Sequence, residues 1–127
     1  MTKDEPVILI VEDDKLIAEA IEKKLKINGF GIISATDGKE GLEMALERRP
    51  DLILLDIILP VMDGVSVLDK LREDPWGAKV PVIVLSNLTR AMTPEDMKKK
   101  GVSFYLIKTD WSLEEVVNKV KYELGLI

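Results

Sequence analysis

Four places in the sequence carry side chains able to do chemistry together, and each stands where an apolar run stops. Val7–Val11 is followed by Glu12-Asp13-Asp14, Leu52-Ile53-Leu54-Leu55 by Asp56, Val82–Leu85 by Ser86, and Phe104–Ile107 by Lys108. Two consecutive acids, Glu12 and Asp13, have no structural purpose after an apolar strand. Asp56 is more telling, because an acid within Leu52–Leu59 is a costly insertion in a buried strand unless something pairs with it. Carboxylates held within a few ångströms of one another either rise in pKa or demand a cation. Oxygen donors without His or Cys suit magnesium or a similar hard divalent ion. Ser86 adds a hydroxyl and Lys108 a fixed positive charge. Singly, Ser86 and Lys108 are ordinary strand-end residues; jointly with the acids they describe a site for phosphoryl transfer. Asp14 has a plainer role, as the short acceptor that an N-cap requires.

The rest of the composition removes competing chemistries. There is no histidine, which excludes a phosphohistidine on this chain, a Ser-His-Asp triad and imidazole metal sites. There is no cysteine, which excludes disulfides, thiolate nucleophiles and zinc–thiolate sites. A net charge of −5 disfavours direct binding to nucleic acid or to anionic lipid. No apolar run approaches the roughly 20 residues that cross a bilayer. The start, Met1-Thr2-Lys3-Asp4-Glu5-Pro6, lacks the apolar run of a signal peptide, so a cytoplasmic protein is expected.

Positioning the four sites requires strands and crossovers. Five short apolar runs, Val7–Val11, Phe30–Ala35, Leu52–Leu55, Val82–Leu85 and Phe104–Ile107, read as strands. Three of them are apolar at almost every position, as in parallel strands covered by helices on both faces. A first helix runs from an Asp14 cap to Asn28, with Leu16, Ile17, Ala20, Ile21, Leu25 and Ile27 as its apolar positions and Gly29 as its stop. Asp37 and Glu40 resemble a capping box before Leu42, Ala45 and Leu46, and Pro50 ends that helix. Val65, Val67, Leu68 and Leu71 give a third helix, ended by Asp74-Pro75. Thr93-Pro94-Glu95-Asp96 opens a short fourth that Gly101 closes. Ser112 and Glu115 form another capping box, with Trp111 and Val116 as a hydrophobic staple, for a fifth helix ending near Leu124-Gly125. The expected fold is therefore α/β: β-α repeated five times with right-handed crossovers, a doubly wound parallel sheet with helices on both faces. Its functional crevice lies beyond the carboxyl ends of the strands.

From Val7 to Leu124 the chain resembles the response-regulator receiver family. The resemblance rests on Ile8–Asp14, Asp51–Pro60, Met62-Asp63-Gly64, Leu85-Ser86 and Tyr105-Leu106-Ile107-Lys108, five motifs in order at the family's spacing. It implies a flavodoxin-like (βα)5 fold with strand order 2-1-3-4-5, one receiver domain over residues 1–127 with its core at 6–124, and no effector domain. It further implies a two-component signalling protein rather than an enzyme, with Asp56 as phosphoacceptor. Glu12, Asp13, Asp56 and the main-chain carbonyl of Ile58 would bind Mg2+ (or Mn2+). Ser86 and Lys108 would hold the phosphoryl oxygens. The implied donor is a histidine kinase or a histidine phosphotransfer protein; the downstream protein partner is left open, and the chain is expected to be a monomer or a weak phosphorylation-dependent dimer. Ser86 and Tyr105 would act as a switch, Tyr105 turning from exposed to buried as Ser86 moves toward the phosphate, across a face made by the fourth helix, fifth strand and fifth helix.

Several positions depart from the family. Thr109 replaces the usual proline after the strand-five lysine, which removes the expectation of a cis bond. Asn87 stands where a small residue is usual and narrows access to the phosphoryl group. Ile58 and Leu88 are both apolar where they flank the path of the hydrolytic water, so self-dephosphorylation is expected to be slow. Ser103-Phe104 replaces acidic residues of the transcription-factor subfamily, so the salt-bridged dimer of that subfamily is not expected. Two rival readings remain: a receiver-like module that binds partners without being phosphorylated, and a flavodoxin-like cofactor protein. The second lacks the Gly-, Ser- or Thr-rich loop that a nucleotide phosphate needs after the first strand.

Overall fold

Capping side chains, glycines and prolines cut the chain into ten elements, seen in a computed structural model that describes residues 5–86, 93–108 and 110–127. In order they are β1 (Val7–Val11), α1 (Lys15–Ile27), β2 (Gly31–Ala35), α2 (Gly38–Arg48), β3 (Leu52–Asp56), α3 (Gly64–Glu73), β4 (Val82–Ser86), α4 (Pro94–Lys99), β5 (Val102–Ile107) and α5 (Leu113–Glu123). The five strands form one parallel sheet in the order β2-β1-β3-β4-β5. The expectations for Asn87, Leu88 and Thr109 lie outside the described residues.

The caps work as short-range chemistry dictates. Asp14 Oδ1 accepts from Leu16 N at 3.0 Å and Ile17 N at 3.2 Å, and Gly29 follows the helix with φ 91°. Asp37 Oδ1 accepts from Glu40 N at 2.8 Å, but Glu40 returns its bond to Thr36 N, one residue earlier than a capping box requires. The reciprocal box forms instead at Thr93 and Asp96. Ser112 Oγ accepts from Glu115 N, and Trp111 packs half-buried in the layer that holds Val116.

The sheet divides the core into two layers. Ile8, Ile10, Leu52, Leu54, Ile83 and Leu85 pack with Ile21 and Leu25 of α1 and Val116, Val117 and Val120 of α5. Leu9, Val11, Ile53, Leu55, Val82 and Val84 pack with Ala45 of α2, Val67, Leu68 and Leu71 of α3, and Met97 of α4. Trp76 joins this second layer, half-buried. Because β3 and β4 are buried at every position, they carry no polar face, as the unbroken apolar runs predict.

Two helical stripes differ from expectation. Leu16 and Ile27 of α1 are 79% and 72% exposed, and Ala20 is exposed as well. At about 100° per residue these three lie within roughly 40° of one another, on the side away from Ile21 and Leu25. α1 is thus apolar on two sides and the sheet covers one. In α2, Leu46 is 37% exposed, and the contact face is built from Gly38, Gly41 and Ala45. A Cβ on Gly41 would stand 2.7 Å from Val11 Cγ1, so glycine is what lets α2 lie close on β1.

Val61, between β3 and α3, has φ 69° and is 77% exposed. A β-branched residue in the left-handed region costs about 1–2 kcal/mol, and its exposed side chain recovers little of that by packing. Val61→Asn is expected to raise stability by about 1 kcal/mol, read as a higher urea midpoint at unchanged m.

Candidate functional site

The carboxyl ends of β1 and β3 are adjacent because β1 pairs directly with β3, Val11 opposite Leu55. One residue further on each strand stand Glu12 and Asp56, 3% and 5% exposed. With Asp13 they place one carboxylate oxygen each within 4.8 Å of the others. Asp13 is exposed, so the cluster opens to solvent on that side.

Lys108 reaches this cluster from the far side of the sheet. Its N–H donates to Ser86 O at 2.7 Å, which carries the β4–β5 pairing one step past the strand end. Its Nζ lies 2.5 Å from Glu12 Oε1 and 3.0 Å from Asp56 Oδ2, and its side chain is 10% exposed. The remaining carboxylate oxygens are engaged by main chain: Asp14 N donates to Glu12 Oε2 at 3.0 Å and Ile58 N to Asp56 Oδ1 at 3.2 Å. Ile58 itself is 57% exposed at the mouth.

The electrostatics follow from burial opposed by pairing. Loss of water raises the Glu12 carboxyl above its ordinary value, and Asp56 adds to the rise; Lys108 and the Asp14 N–H only partly offset it. Burial acts to lower the Lys108 ammonium, yet the ion pairs with Glu12 and Asp56 outweigh it and leave the pKa raised. Three carboxylates therefore face one ammonium. That imbalance, with oxygen the sole donor type, fits one hard divalent cation among Glu12, Asp13 and Asp56.

Ser86 is fully buried, and Tyr105 is half-buried against the α2–α3–α4 layer rather than exposed. Tyr105 pairs with Val84 and Ile107 with Ser86, so Ser86 and Tyr105 are diagonal neighbours on adjacent strands. Glu12, Asp13, Asp56, Ser86 and Lys108 thus lie at the carboxyl end of the sheet, with Tyr105 diagonal to Ser86.

Two contributors were not singled out as such. A Cβ on Gly64 would stand 2.3 Å from Asp56 O and 2.6 Å from Ile57 Cα, while Gly64 N donates to Ile57 O at 2.7 Å. Glycine there is what allows the start of α3 to press on the Asp56 main chain, directly after Asp63, which the structure shows capping α3; its place in the Met62-Asp63-Gly64 motif was the available signal. Gly38 packs the same way, its Cβ position overlapping Met62 O. Both hold the loop that follows Asp56.

A family model described as response regulator receiver domain matches residues 8–121. The chain belongs to the response regulator receiver family. The transcriptional regulatory protein PrrA of Mycobacterium tuberculosis is 40% identical over 116 residues, which are 91% of this chain and 48% of PrrA. This receiver thus spans about half the length of the curated relatives it matches. Among solved structures, the receiver domain of the Francisella response regulator 1452 superposes with a TM-score of 0.83 at 35% identity, covering 93% of this chain and 95% of that one. The receiver domain of a Pseudomonas aeruginosa PAO1 sensor histidine kinase, solved with magnesium coordinated in its active-site cleft, gives 0.84 at 30%, covering 95% and 98%. No helix among the described residues is long and apolar enough to cross a membrane.

Proposed function

We propose that this receiver takes a phosphoryl group onto Asp56 from a phosphohistidine on a histidine kinase or histidine phosphotransfer protein. The observation that carries this reading is a buried carboxylate with an ammonium 3.0 Å from one oxygen and two further carboxylates close by. The attacking Asp56 oxygen forms a bond to phosphorus as the donor's P–N bond breaks, and the leaving imidazole nitrogen takes up a proton. An acyl phosphate results. Lys108 meets the charge on the transferred oxygens, and Ser86 donates a hydrogen bond to one of them once its hydroxyl turns. Glu12, Asp13, Asp56 and the Ile58 carbonyl would hold Mg2+ (or Mn2+), which supplies charge neutralisation at the phosphoryl oxygens when bound.

The output follows from the same register. Tyr105 packs in the layer that Met97 of α4 occupies, and Ser86, two residues beyond Val84 of that layer, is its diagonal neighbour, so a shift of Ser86 changes the space beside Tyr105. The α4–β5–α5 face is then the element that a downstream protein reads. The domain is a signalling switch rather than an enzyme with a turned-over substrate, and Ile58 at the mouth supports slow loss of the phosphate.

Incubation with Mg2+ and a small acyl-phosphate donor is expected to add one phosphoryl group, seen by intact mass and lasting well beyond seconds. A chain left unmodified would leave the reading of a phosphate-independent binding module. Magnesium affinity is also expected to depend on pH. Because burial raises the Glu12 pKa, the metal-free site holds a proton over a higher pH range than an ordinary carboxyl, and binding must expel it. Affinity should therefore fall as pH drops, with proton release visible when calorimetry is repeated in buffers of different ionisation enthalpy.

A further inference from the structure

Arg72, on α3, spends its guanidinium on main-chain carbonyls of other segments. Nε donates to Lys100 O at 2.8 Å, Nη1 to Gly77 O and Val80 O at 2.7 Å each, and Nη2 to Gly101 O at 3.0 Å. Two of these carbonyls belong to the turn that ends α4 and opens β5. A second link runs in parallel, an ion pair between Lys100 of that turn and Asp69 of α3. Gly101 turns at φ 73°, and a Cβ there would come within 3.3 Å of Arg72 Nη2, so the turn and the guanidinium fit closely.

The other end of α4 is built differently. Thr93 Oγ1 accepts from Asp96 N and Asp96 Oδ2 accepts from Thr93 N, both at 3.1 Å, so this end carries its own caps. Thr93, Pro94 and Glu95 are exposed, and the buried residue of the helix is Met97. A self-capped end can leave the surface without stranding its N–H groups, whereas freeing the C-terminal end breaks two hydrogen bonds of a half-buried arginine, those to Lys100 O and Gly101 O, together with the Lys100–Asp69 ion pair.

We propose that Arg72 is a positioning residue that anchors the C-terminal end of α4 to α3, making α4 a one-ended lever whose moving end is the turn at Thr93–Asp96. Arg72 is over a full helix length from the acid cluster in sequence and touches none of it. The lever stands on the free protein's geometry; only its use as the output switch rests on the phosphoacceptor reading.

Exchange of single amides in the full chain, followed by NMR, tests this. Met97 N donates to Thr93 O and reports the moving end, while Lys100 N to Asp96 O and Gly101 N to Lys98 O report the anchored end. In the wild type Met97 should exchange at least about tenfold faster than Gly101. Arg72→Lys keeps the charge but cannot span four carbonyls, and should speed Lys100 and Gly101 about tenfold or more while changing Met97 less than about twofold. Asp69→Asn removes only the parallel ion pair and should give a smaller change at the same two amides. Equal exchange at both ends of the wild-type helix, or an Arg72→Lys effect of the same size at Met97 as at Gly101, overturns the proposal. Adding Mg2+ and beryllofluoride then separates the two readings. A response at Met97 without one at Gly101 supports the lever as a switch; a response of equal size at both ends overturns it in that use. Silence everywhere, the Asp56 neighbourhood included, counts against phosphoryl acceptance, and the comparison in the free protein still decides the anchor.

Discussion

Asp56→Asn is expected to abolish phosphoryl incorporation, by at least about a thousandfold, while leaving the protein no less stable than the wild type in metal-free buffer. The amide cannot attack phosphorus, so the loss is chemical. Stability should hold because the substitution removes one of two buried carboxylates that share a single ammonium: Lys108 keeps Glu12 as its partner at 2.5 Å, and like-charge repulsion is relieved. Intact mass after exposure to an acyl-phosphate donor, together with urea unfolding in EDTA, measures both quantities. An Asp56→Asn chain that still gains a phosphoryl group would mean the acceptor is another residue.

Lys108→Ala is expected to do the reverse, harming stability and chemistry together. It leaves Glu12 and Asp56, 3% and 5% exposed, with no ammonium between them. Breaking a buried ion pair from one side costs about 3–5 kcal/mol. Mg2+ should restore part of that loss, because the same oxygens can pair with the metal. The deficit should also shrink as pH falls. Burial already raises the Glu12 pKa in the fold, so the penalty for its charged form is present at neutral pH and disappears as Glu12 protonates toward its unfolded value. Even with saturating Mg2+, the rate of phosphorylation should stay about 10²–10³-fold low, the scale for removing one preorganised donor from a transferring group. Equal stability of Lys108→Ala and wild type in EDTA would contradict the ion-pair geometry; equal phosphorylation rates would contradict the role given to Lys108.

Much of this architecture is legible in the order of the residues, for a local reason. Apolar runs such as Leu52–Leu55 and Val82–Leu85 report their own two-sided burial, and caps such as Asp14, Asp37 and Thr93 need only residues two or three positions away. The acids after β1 and β3 stood out because burial of an unpaired carboxylate is too costly to be incidental. The limits were equally physical. Composition along α1 marks Leu16, Ala20 and Ile27 as apolar but cannot say which of two stripes meets the sheet. Nothing near Arg72 in sequence announces that its partners are Gly77, Val80, Lys100 and Gly101, because the carbonyls that bind it are main-chain atoms of any residue type.

Chain order and residue chemistry alone were enough to determine five strands, five helices and a set of acids, a hydroxyl and an ammonium at strand ends. Tertiary structure alone decided how these meet. The β4–β5 register slips between Val82 and Ile83, whose partners are Val102 and Phe104, so one residue of β5 is passed over. That irregularity puts Tyr105 in the same layer as Val102, and beside Ser86, although strict alternation along β5 would separate them. Lys108 likewise reaches Glu12 across 96 positions only because β1, β3, β4 and β5 end together. Periodicity and capping are set within a few residues; register and convergence are set by packing of the whole sheet, and the reactive geometry depends on the latter.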